Sequence, residues 1–85
     1  MNKWIRVIDH QASIMPKEDC NVWVTRTNCF REVWVQVIDY YVDSGRFEWD
    51  GVKAWMPYQE IKPEPYDCSK YFAGKPRTYK VIQCR

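Results

Sequence analysis

Glycine is scarce in this chain, with three among 85 residues, and histidine occurs once, as His10. So few glycines exclude a collagen repeat and a glycine-rich phosphate loop. No apolar run approaches the roughly 18 residues that a membrane-spanning helix needs. No sustained heptad marks a coiled coil. The four cysteines, Cys20, Cys29, Cys68 and Cys84, are widely spaced and form no Cys-x-x-Cys pair. A structural zinc site usually needs two such close pairs, so no metal site and no cofactor are expected. The opening Met1-Asn2-Lys3-Trp4 leads into no signal-like apolar stretch. A cytosolic setting, with reduced thiols, is expected; export would instead permit two disulfides. Acidic residues are missing from 68–85, which makes the charge uneven. Residues 1–67 carry eight basic and eleven acidic residues, a balance of −3, while 68–85 carry five basic residues, a balance of +5.

Aromatic residues are abundant instead: five Trp, six Tyr and three Phe, or 16% of the chain. With 46% hydrophobic residues the chain is too apolar to be wholly disordered. A chain of this length buries only about 60% of its unfolded surface. Each buried aromatic removes about 150–250 Å² from water, so an aromatic core can hold one small domain without metal or disulfide.

The apolar spacing is that of strands. Residues 4–8 and 22–26 alternate and are rich in β-branched residues, and Val33 to Val42 is the longest such run. Both faces of that run are apolar, as in a central or strongly bent strand. Asp43-Ser44-Gly45-Arg46 reads as a turn, Phe47-Glu48-Trp49 as a short strand, and Asp50-Gly51 as a tight hairpin turn into Val52–Met56. Residues 33–56 are thus expected to form a three-stranded meander, and 9–21 a loop. Lys62-Pro63-Glu64-Pro65 reads as a boundary. The reading is an all-β domain over 1–66, a small SH3-like or OB-like half-open barrel of about five strands. A short helical turn fits at 57–62 or 67–73. A basic extension follows over 67–85, with Thr78–Gln83 as an added edge strand.

One set of residues resembles a known family. Trp4-Ile5-x-Val7, Pro16, Val22-x-Val24-Thr25, Tyr40-Tyr41, Phe47 and Val52-x-x-Trp55-Met56-Pro57 resemble the domain-of-unknown-function family numbered 551. These are short proteins mainly of phages and prophages, and the likeness covers roughly residues 4–65. The chain departs from the family at its second strand, which lacks a glycine-containing approach. It departs again where Tyr58-Gln59 stands in place of Leu-Pro. The resemblance implies a phage or mobile-element context, in a bacterial cytoplasm, and no defined chemistry.

Candidate chemistry is sparse. A nucleophilic site would have to use His10, with Cys20 or Ser13 as partner and Asp9 or Asp19 as orienting group, and a loop histidine is the simpler reading. Asp39, Asp43, Glu48 and Asp50 cluster in sequence around Arg46; they suit turns, or a negative patch for a basic partner. Trp23, Trp34, Trp49 and Trp55 are either core or a stacking platform. Strand alternation places Trp23 opposite Val22 and Val24, and Trp55 opposite Ala54 and Met56. If the aliphatic faces are core, both tryptophans emerge on the outer face, under a covering segment or a partner. The favoured reading is a non-catalytic protein-binding module; the phage context that the resemblance implies makes it an anti-CRISPR-like inhibitor that blocks a basic nucleic-acid surface on a host defence protein, such as a nuclease. Its partner-binding residues would be Asp39, Asp43, Glu48, Asp50, Trp23 and Trp55. The alternative is a small nucleic-acid-binding accessory protein using Lys70, Lys75, Arg77, Lys80 and Tyr79. No enzyme is expected, because no convincing acid–base pair, metal set or phosphate loop is present.

Overall fold

The computed structural model describes residues 3–68. Five strands run through them: β1 (Ile5–Ile8), β2 (Gln11–Ala12), β3 (Cys20–Thr27), β4 (Val33–Tyr40) and β5 (Val52–Pro57). They form one open antiparallel sheet in the order β2-β1-β5-β3-β4. The chain is all-β, as the alternating β-branched runs dictate, and no helix occurs among the described residues.

Several local expectations give way. The stretch 9–21 is not wholly loop. Asp9 and His10 both adopt positive φ, 53° and 70°, and make the two-residue turn that pairs Ile8 with Gln11. Phe47–Trp49 is not a strand, and the meander over 33–56 does not form. β5 instead crosses away from β4 and inserts between β1 and β3, placing Trp55 across from both Ile5 and Val24. The Asp50–Gly51 turn leads into β5, with Gly51 at φ 75° and its carbonyl accepting from the Thr27 amide at 2.9 Å.

Both faces of the sheet are buried. On one, Val7, Val22, Val24, Ile38, Tyr40, Phe47, Val52 and Trp55 form the main core. Phe47 sits among aromatic rings, 5.2 Å from Tyr40 and 6.0 Å from Trp55 by centroid. Val52 and Trp55 are three apart, so strict alternation would put them on opposite faces. The register shifts instead: Thr25 opposes Ala54 and Arg26 opposes Val52, leaving Lys53 as the extra residue of a β-bulge. The bulge turns both Val52 and Trp55 to the main core.

On the other face Trp23, Val35 and Met56 form a second cluster, joined by Trp4. Residues 58–68 lie over it as an irregular strap. The Trp23 indole donates to the Gln59 carbonyl at 2.8 Å, and its ring stacks on Tyr58. The Trp4 indole donates to the Glu64 carbonyl at 2.8 Å, and the Tyr66 amide to the buried Thr25 hydroxyl at 3.0 Å. Lys62–Pro65 is therefore part of this cover, with Pro63 buried. Prolines bring no backbone N–H to satisfy, which suits a strap that pairs with no strand. Of the expected extension, Asp67 and Cys68 are described and Cys68 is buried; Thr78–Gln83 lies outside the described residues.

Candidate binding surface

The expected anchors Trp23 and Trp55 are not on the surface. They are 9% and 5% exposed, one on each face of the sheet. The Trp55 indole donates to the Ile14 carbonyl at 2.8 Å, so its polar edge is satisfied inside the domain. The parity argument placed Trp23 correctly opposite Val22 and Val24. The covering segment expected over Trp23 is the strap of residues 58–68, whereas Trp55 departs from the expectation by joining the same core as those valines.

The four expected carboxylates are all exposed, but the fold divides them. Asp39 pairs with Asn21 where β3 begins and β4 ends. Asp43 lies in the turn that follows, where the Ser44 and Gly45 amides donate to the Tyr41 and Val42 carbonyls. Glu18 and Asp19 arrive at this same end from the loop before β3. The Asp19 carboxylate accepts the Val42 amide at 2.7 Å and so ties the two segments together. Asp50 lies at the opposite end of the ladder, where its carbonyl accepts from Arg26. Arg26 is five residues along β3 from Asn21, so about 17 Å separates the two ends. Glu48 follows Phe47, whose amide donates to the His10 carbonyl at 2.8 Å.

Glu18 and Asp19 carry a signal that composition did not single out. The Cys20 thiol beside them titrates above its ordinary range. Partial shielding of its sulfur from water is the main cause, although the residue as a whole is exposed, and the charges of Glu18 and Asp19 add to it. In the midst of these acids stand two apolar side chains in water, Tyr41 at 55% exposure and Val42 at 44%. The Tyr41 hydroxyl reaches toward the Asp39 carboxylate at 3.5 Å. Lys17 and Arg46 are the nearest basic residues in sequence.

The other end of the ladder is closed on itself. The Arg26 guanidinium lies over the rings of Trp34, at 5.2 Å, and Trp49, at 5.0 Å. Its Nε donates to the Asp50 carbonyl at 2.8 Å and its Nη1 to Gln36 Oε1 at 3.1 Å; the Trp34 indole donates to that same oxygen at 3.0 Å. Trp34 and Trp49 thus offer part of their ring area to Arg26 rather than to a nucleobase. Lone arginines at strand ends give no sequence signal for such an arrangement.

His10 is a structural tie. Its Nδ1 donates to the Phe47 carbonyl at 2.7 Å, which fixes the tautomer that carries a proton there. Among the described residues no group of three or more His, Cys, Asp or Glu side chains could hold a metal ion. Every buried side-chain nitrogen or oxygen among them has a hydrogen-bond partner. No described helix is long and apolar enough to cross a membrane. The alternative nucleic-acid residues Lys70, Lys75, Arg77, Lys80 and Tyr79 lie outside the described residues. No family model matches this chain, and neither does any curated protein or solved structure.

Proposed function

We propose that this protein is a non-catalytic binding module that docks the acidic end of its β3–β4 ladder onto a basic surface of a host protein. The setting is a phage or mobile element in a bacterial cytoplasm, and the partner is a defence protein whose nucleic-acid surface the module occludes. The observation that carries the reading is the exposed Tyr41–Val42 pair set among Glu18, Asp19, Asp39 and Asp43. Interface hot spots combine an aromatic anchor with surrounding polar contacts, and complementary charge steers encounter and excludes wrong partners. A nucleic-acid surface on a nuclease is basic, so a carboxylate cluster competes there with phosphate. The motif likeness to short phage proteins supports the setting.

The test uses the full chain as bait in a nuclease-treated bacterial lysate, beside the double variant Asp39→Lys, Asp43→Lys. The wild type is expected to retain one protein in stoichiometric amount, to abolish that protein's binding to its nucleic acid, and to lose it at least tenfold on charge reversal. Equal capture by both baits would overturn the reading. Direct binding of the chain to short DNA or RNA, weakening steeply with salt, would replace it with the nucleic-acid alternative.

A further inference from the structure

The sheet and its cover are held by different means. The strands pair through backbone, and β3 is paired on both sides, by β4 and β5. None of residues 58–68 lies in a strand or helix. The strap docks on sheet side chains: the Trp23 indole donates to the Gln59 carbonyl, the Trp4 indole donates to the Glu64 carbonyl, and the Thr25 hydroxyl accepts the Tyr66 amide. Its inner side buries Pro63 and Cys68, while Tyr58 is 53% and Ile61 79% exposed. A ladder is broken only by separating its strands, so a cover of this kind can leave with the sheet ladders intact.

We infer that residues 58–68 form a lid that opens as one unit while the five strands stay paired, uncovering Trp4, Trp23, Val35 and Met56. Local opening is easiest where a segment exposes much of its own surface and shares no ladder, which describes the strap and not the sheet. The lid moves as a whole because its contacts share one site. Trp4 and Trp23 belong to the same cluster, and Thr25 follows Trp23 by two positions on the same face of β3. Pro63 and Pro65 fix φ between the Gln59 and Tyr66 contacts, which disfavours a bend in mid-strap. The main core lies on the opposite face of the sheet and is untouched by opening. An apolar face withheld in the closed protein is thereby offered in a minor state. The inference does not depend on the proposed function.

Native-state hydrogen exchange on the full-length chain tests it. The Tyr66 amide, bonded to Thr25, reports the lid, and the Val24 amide, in β3 between β4 and β5, reports the sheet. After correction for intrinsic rates, Tyr66 should exchange about tenfold or more faster than Val24. Its rate should also depend less on denaturant, because opening exposes less surface than unfolding. The Cys68 thiol, 2% exposed, should be alkylated through the same opening, with an opening constant within about tenfold of that from Tyr66. Ile38→Val, in the main core on the other face, should speed Val24 exchange about fivefold and leave Tyr66 and Cys68 unchanged. A smaller Tyr66-to-Val24 ratio, an equal denaturant dependence, or acceleration of all three probes together would overturn the inference, because lid and sheet would then open as one. A larger gap between Cys68 and Tyr66 would overturn it too, because the strap would fray piecemeal. If Ile38→Val fails to fold, the wild-type rates decide alone.

Discussion

The two ends of the β3–β4 ladder are built oppositely. At one end Arg26 places its guanidinium on Trp34 and Trp49 and its protons on Gln36 and the Asp50 carbonyl. At the other end the Asp19 carboxylate accepts the Val42 amide, while Asp39 and Asp43 are exposed beside Tyr41 and Val42. One end spends its polar chemistry on holding the fold. The other leaves charge and apolar area in water, where they contribute little to stability and are available to something else. Substitutions at the first end should therefore act on folding, and those at the second on association.

The largest effect should come from Gly51→Ala. Gly51 sits at φ 75°, and an added Cβ there would drive into the Thr27 backbone carbonyl. A loss of about 3 kcal/mol or more in chemical denaturation is expected, combining left-handed strain with a clash against rigid backbone. Next is Arg26→Ala, which removes the bonds to Asp50 and Gln36 and both ring contacts; about 2 kcal/mol should be lost. Gly45→Ala sharpens the contrast. Gly45 also has positive φ, 67°, but an added Cβ meets nothing within 4 Å, so only the conformational cost of about 1 kcal/mol should appear. The smallest effect is electrostatic. Cys20 reports the potential of the acidic end, because Glu18 and Asp19 help raise its pKa above the ordinary thiol value. Alkylation proceeds through the thiolate, so Glu18→Gln should lower that pKa and speed Cys20 modification at pH 7.5. An unchanged rate would mean that solvent screens Glu18 from the sulfur.

Much of the fold was legible because period-2 alternation survives in β1, β3, β4 and β5, and because Asp50–Gly51 carries the chemistry of a tight turn. Pairing partners were not legible. Alternation says which face a side chain takes but not which strand lies beside it, so the expected meander sets β5 against Phe47–Trp49, whereas it lies between β1 and β3. β2 has two residues and hence no period to read. Phe47-Glu48-Trp49 alternates as a strand does, yet the Phe47 amide is satisfied by His10 in a turn. The bulge at Lys53 breaks parity at a residue with no glycine or proline to announce it. The acidic residues were legible as a cluster in sequence, but their separation into two ends needed the ladder. The strap over 58–68 was not legible, because its prolines and polar residues carry no strand or helix period and give no sign that they cover a sheet face. That cover removes Trp23 from the surface, and the placement of Trp55 in the main core removes the other expected anchor.

The most direct measurement is a competition titration, in which the captured host protein, bound to a labelled oligonucleotide, is challenged with this protein and its variants. The open acidic end should matter and the closed end should not. Wild type and Trp49→Ala are expected to displace the oligonucleotide with the same midpoint, and the Asp39→Lys, Asp43→Lys variant to need at least tenfold more. Displacement by the charge-reversed variant at the wild-type midpoint, or its loss on substituting Trp49, would contradict the account.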